Sequence, residues 1–143
     1  MADENDIVRE VVEVLHDGHK GFAELAEYIK DPQVKAYFVK ESQTRAKLAN
    51  ELEFAAALKK EPGGTASGAI HRFWGDLKGK LGGGDHTLLE TAEQGEDAAK
   101  EAYQKALKES SITEPVRQIL ITQQSHIQQS RDTVKAFRDR KAA

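Results

Sequence analysis

The chain has 143 residues, 38% of them hydrophobic, with 24 acidic against 21 basic side chains and no cysteine. That length suffices for a single domain, residues 1–143, built on one core, and the missing cysteine excludes disulfides, a thiolate nucleophile and thiolate metal sites. A formal charge of -3 gives no basic field for nucleic acid, and the acidic start MADENDIVRE with no long apolar run predicts a cytoplasmic chain with no membrane span.

In chain order, Ile7, Val11, Leu15, Phe22, Leu25, Ala26 and Ile29 fall at helical spacing with Gly18 on the same line, which predicts a first helix over about 5–30. Glu10, Glu13, Asp17, Lys20, Glu24 and Glu27 take its other faces, so its core line is expected to carry no carboxylate. Asp31-Pro32 is a start signal, a capping side chain before a proline at the first helical position. The second helix, about 32–60, has the buried stripe Val34, Tyr37, Phe38, Glu41, Arg45, Leu48, Leu52, Ala55 and Ala56. An acid and a base thus stand inside an apolar line. There each must be paired, hydrogen-bonded or bound to metal; a rotated helix would instead bring both to the rim.

Glu61-Pro62-Gly63-Gly64 and Gly82-Gly83-Gly84 bracket a crossover, 61–85, in which Ile70, Phe73, Trp74 and Leu77 make one apolar face of a short helix over about 67–80. The third long helix is expected over about 86–109, started by Asp85 or Thr87, with Glu96 near its buried side. Thr113-Glu114-Pro115 starts the fourth, about 114–139, whose core line runs Val116, Ile119, Leu120, Gln123, Ile127, Ser130, Val134 and Phe137, with His126 on its edge. Arg131, Lys135, Arg138, Arg140 and Lys141 suit the negative end of that helix and a solvated face, not an anion site. Val8, Val12, Val14 and Ile121, at or beyond the stripe edges, could supply a homodimer surface. Two tight turns and one long crossover have ferritin-like connectivity, so the fold class is all-α, a four-helix bundle whose crossover carries a short amphipathic helix.

The strings AELAEYI, ESQTR, SGAIHRFWGDLK and ETAEQGEDAAKEAYQKAL resemble the bacterial ferritin-like four-helix-bundle family known as domain of unknown function 2383. The resemblance implies a ferritin-like bundle and carries over no enzymatic activity. A di-iron site of the ferritin-like kind takes a Glu from each of two helices and a Glu-x-x-His from each of the others. Here Gly18, Glu41-x-x-Thr44, Glu96 and Gln123-x-x-His126 leave three of six ligands, Glu41, Glu96 and His126.

The leading expectation is therefore a non-enzymatic protein with no cofactor and a structural, assembly or stress-related role. Its metal-free polar core would consist of Glu41, Arg45, Glu96, Gln123 and His126, with Arg45 pairing Glu41, one turn away, and Glu96. One alternative is an iron-binding protein or oxidoreductase using Glu41, Glu96 and His126, with His19 swinging in. Another is a partner-binding module presenting Ile70, Phe73 and Trp74.

Overall fold

The computed structural model describes residues 3–58, 74 and 77–141, and those residues form an all-helical chain with no strand. Four long helices, α1 (Glu4–Tyr28), α2 (Pro32–Ala55), α4 (Asp85–Leu107) and α5 (Glu114–Arg140), are accompanied by one short turn of helix, α3 (Leu77–Lys80). Ile70 and Phe73 lie outside the described residues, as does most of the expected helix over 67–80.

Local chemistry sets the ends. Asp31 caps α2 by accepting from the Gln33 and Val34 amides at 2.8 and 3.3 Å, with Pro32 in the first turn. α2 stops at Ala55, about five residues before the expected break, because Ala57 turns into the left-handed region at φ 54°. Asp85 is the first residue of α4, and its carboxylate does not cap that helix. It accepts instead from the amides of Lys30 and Asp31, both at 2.9 Å, and so ties the α1–α2 turn to the start of α4. Lys141 joins the same corner through Asp31 at 2.5 Å. At the other end, Glu4 accepts from the amide and hydroxyl of Thr113 at 2.5 and 2.6 Å.

These clasps orient the helices. The start of α1 lies beside the start of α5, and the start of α2 beside the start of α4. α1 packs on α2 and α4, and α5 packs on α4 and, more sparsely, on α2.

The core divides into two apolar clusters. One gathers Val8, Leu15, Leu52, Tyr103 and Leu120 toward the Glu4 end; the other gathers Phe22, Phe38, Trp74, Leu88 and Val134 toward the Asp31 end. Val8, Val12 and Val14 are buried inside this chain, so they are not available as a dimer surface: α1 is covered by both α2 and α4, which widens its buried face beyond one stripe. Ile121 alone of that set is exposed. The α2 stripe keeps Val34, Phe38, Glu41, Arg45, Leu52 and Ala56 buried and differs from the expected one at its edges, with Ser42 and Ala49 also buried, Tyr37 and Leu48 half-buried and Ala55 exposed.

Trp74 is 2% exposed and meets Phe22 edge-on at 5.1 Å. It sits where α1 and α4 have no side chain. A Cβ on Gly21 would lie 2.7 Å from Trp74 Cε2, and one on Gly95 would lie 2.5 Å from it. Gly95→Ala is therefore expected to destabilise the fold by about 1–3 kcal/mol through overpacking and to shift the emission of the sole tryptophan to the red in the folded state. Chemical denaturation followed by fluorescence measures both, and an unchanged midpoint would mean that the indole does not occupy this slot.

Candidate functional site: a buried ion network between two apolar clusters

The two apolar clusters leave a polar layer between them, contributed by one stretch of every long helix. α1 brings Asp17 and Gly18, α2 Glu41, Ser42 and Arg45, α4 Glu96, and α5 Ser130, all of them buried. Arg45, with no exposed surface, is the only fully buried cation among the described residues. Its Nε donates to Glu41 Oε2 at 2.7 Å, its Nη2 donates to Glu96 Oε1, and the same nitrogen lies 3.4 Å from Ser130 Oγ. Phe22 stacks beneath the guanidinium, 5.0 Å from ring centre to Cζ. Gly18 supplies the space: a Cβ there would stand 3.1 Å from Arg45 Nη1 and 3.4 Å from its Cγ.

Each carboxylate has a second partner. Ser130 Oγ donates to Glu96 Oε2 and accepts from the Tyr37 hydroxyl at 2.7 Å. His126 Nε2 lies 2.8 and 3.1 Å from the two oxygens of Glu41; its side chain is 35% exposed, so it stands at the rim while Glu41 is inside. Gln123, expected beside Arg45, belongs to a different cluster nearer the Glu4 end. It accepts from the Tyr103 hydroxyl at 2.7 Å and donates to Leu48 O at 3.1 Å and Glu51 Oε1 at 2.8 Å. Ser130, two turns further along the same α5 line, takes the place expected for it.

His19 meets the layer through Ser42, with Nδ1 2.9 Å from Ser42 O and 3.0 Å from its hydroxyl. Asp17 corrects another expectation, because it is fully buried and the buried face of α1 therefore does carry a carboxylate. The basic end of α5 is tied to acids: Arg131 to Asp97 at 2.7 Å, Arg138 to Glu93, and Lys135 to Asp139 at 3.4 Å.

The two acids around Arg45 shift in opposite directions. Burial pushes Glu41 up, but the His126 hydrogen bond and the Arg45 charge outweigh it and hold the carboxyl below its usual range. Glu96, with no exposed surface, is pushed up: burial outweighs the Arg45 charge and the Ser130 hydrogen bond. Burial also opposes the Arg45 charge, yet Glu96 and Glu41 together raise it, so the guanidinium stays charged. Tyr37 is pushed up to about 12, chiefly by burial.

The Arg45 guanidinium lies between Glu41 and Glu96, and among the described residues no group of three or more His, Cys, Asp or Glu side chains is placed to hold a metal ion. Chemically, the layer can hold charge, fix helix register and move protons between hydroxyl and carboxyl oxygens.

The class defined by fold and site is an all-helical protein centred on an ion network of its own side chains, in which no described helix is long and apolar enough to cross a membrane. Within that class, the chain belongs to the family described as domain of unknown function, DUF2383, whose model matches residues 3–109. The match takes in Arg45, Glu41, Glu96, Trp74 and the glycines facing them, and stops before α5. No curated protein matches the chain.

Because the folded Glu41 carboxyl is held low, its contribution to stability is present above its unfolded value, near 4.5, and is lost as the pH falls through the lower folded value. Glu41→Gln is expected to flatten that acid limb in urea melts collected across the acidic range. A variant with the same acid limb as the parent would show that Glu41 is not the group responsible.

Proposed function

We propose that this protein is a non-enzymatic, ferritin-like four-helix bundle that acts in the cytoplasm in a structural, assembly or stress-related role, with a metal-free centre. The helix order supports the ferritin-like reading: two antiparallel pairs, α1 with α2 and α4 with α5, whose connection must run the length of the helices. The observation that carries the metal-free reading is the Arg45 guanidinium bonded to Glu41 and Glu96 at once. A fixed cation between two carboxylates repels a divalent ion and takes the oxygens that would have bridged a metal pair.

An ion network of this kind specifies register more than it adds stability. Buried ion pairs roughly break even against apolar packing, while loss of one partner is costly. Sliding α2 or α4 by a turn would break the Arg45–Glu96 contact, and sliding α5 would take Ser130 from both, so buried polar groups would lose their partners. The bundle is thereby held in one arrangement, as a scaffold with a fixed outer surface requires. The burial of Trp74 and Leu77 supports a crossover face that belongs to this chain's own core, in preference to a partner-binding module.

Metal analysis tests the reading. Protein purified without chelator, and again after anaerobic loading with ferrous iron and desalting, is expected to carry sub-stoichiometric metal. One or two irons per chain that disappear in Glu41→Ala would overturn it.

A further inference from the structure

Two carboxylates share one guanidinium in the buried layer, and only one of them has a route to solvent through a titratable neighbour. Glu41 reaches the rim at His126. Glu96 has no exposed surface, and its partners are Arg45 and the neutral hydroxyl of Ser130. With Arg45 balanced by Glu41, an ionised Glu96 leaves a net negative charge inside the protein, which a single bound proton would remove.

The same layer contains a path for that proton. Glu96 Oε2, Ser130 Oγ and Tyr37 Oη form an unbroken line of hydrogen bonds, and Tyr37 is half-buried on the sparsely packed seam between α2 and α5. We propose that Glu96 is a buried proton-binding site, loaded and emptied through the two hydroxyls of Ser130 and Tyr37.

In the loading step, Tyr37 passes its hydroxyl proton to Ser130 Oγ as Ser130 passes its own to Glu96 Oε2, and the Tyr37 oxygen takes one proton from water. Three O–H bonds form and three break, and one proton enters the protein. Afterwards the line is reversed: Glu96 donates to Ser130, Ser130 to Tyr37, and Tyr37 to solvent. Arg45 Nη2 bonds the other oxygen, Oε1, in either state. The Tyr37 phenol, pushed up to about 12 mainly by burial, stays neutral at neutral pH and serves as a relay.

The charged and titratable surroundings of Glu96 come from each long helix. α2 presents Tyr37, Glu41 and Arg45, and α5 presents His126 at the rim beside Ser130. α1 presents Gly18 with the buried Asp17 next to it. Along α4 itself, Glu93 is held by Arg138 and Arg131, and Asp97 by Arg131, so neither competes for Arg45. Burial, the largest influence on Glu96, acts in the direction the site requires. A carboxyl raised on folding contributes stability that is complete below its unfolded value and is lost as the pH rises through the folded one, opposite in direction to Glu41.

The inference goes beyond the structural role proposed above and rests on that reading only in placing Arg45 between the two acids. Infrared spectroscopy of the full chain tests it through the C=O stretch of a protonated carboxyl group. The band is expected at neutral pH in the parent, absent in Glu96→Gln, lost from the parent as the pH is raised, and shifted in frequency in Ser130→Ala. Absence of the band at neutral pH, its persistence in Glu96→Gln, or an unmoved band in Ser130→Ala would each overturn the proposal. Should Glu96→Gln fail to fold, the pH titration of the parent and the Ser130→Ala shift decide the matter alone. A chain that takes up no iron yet lacks the band rejects the proton site and leaves the ion network standing.

Discussion

The contact on which the rest depends is the Arg45 guanidinium, fully buried and bonded to acids on two different helices. Burying a guanidinium removes it from water at a cost of several kcal/mol, so every element near it must supply something. α2 supplies Glu41 from one turn away, α4 supplies Glu96, α5 supplies the Ser130 hydroxyl, and α1 supplies an absence at Gly18. The two apolar clusters on either side exclude water from the layer, which strengthens the charge pairing inside it. Between the two clusters, the polar layer joins α2 to α4 and α5 by hydrogen bonds.

The faces of the helix assembly solve the packing problem differently. Between α1 and α4, Gly21 and Gly95 open a slot that the Trp74 indole fills, a wholly apolar solution. Between α2 and α5 the helices meet more sparsely, and the bridging is polar: Tyr37 to Ser130, His126 to Glu41, and Gln123 to Leu48 and Glu51. The apolar slot holds the Trp74 indole, and the polar seam connects Glu41 to His126 at the rim and Glu96, through Ser130, to Tyr37.

Much of this is legible in the sequence. Asp31-Pro32 marks a helix start by cap and proline together, and Thr113-Glu114-Pro115 by its proline, since the Thr113 side chain makes no cap; the Glu41–Arg45 spacing places both on one helical line. What spacing along one helix cannot reveal is the level at which residues on different helices meet. Gln123 and Ser130 lie on the same α5 line, two turns apart, and only three-dimensional packing shows that the serine is level with Arg45 while the amide is level with Tyr103. A small hydroxyl in an apolar stripe also carries little signal by itself. Asp17, on another face of the α1 stripe, and Val8, Val12 and Val14, at or beyond its edges, are all buried because α1 is covered on two sides, which a single stripe does not express. The early end of α2 came from a left-handed Ala57, a conformation that alanine's chemistry does not announce.

A double-mutant cycle on folding stability addresses the Arg45–Glu41 contact without reference to any ligand. Arg45→Met, Glu41→Gln and the combined variant would be unfolded in urea at neutral pH beside the parent. Arg45 holding the layer together gives a coupling of about 2 kcal/mol or more, with the single arginine variant the least stable of the four because it leaves the ionised Glu41 buried without its cation. Effects that add to within about 0.5 kcal/mol would contradict it, and would mean that Arg45 and Glu41 are neighbours without being partners.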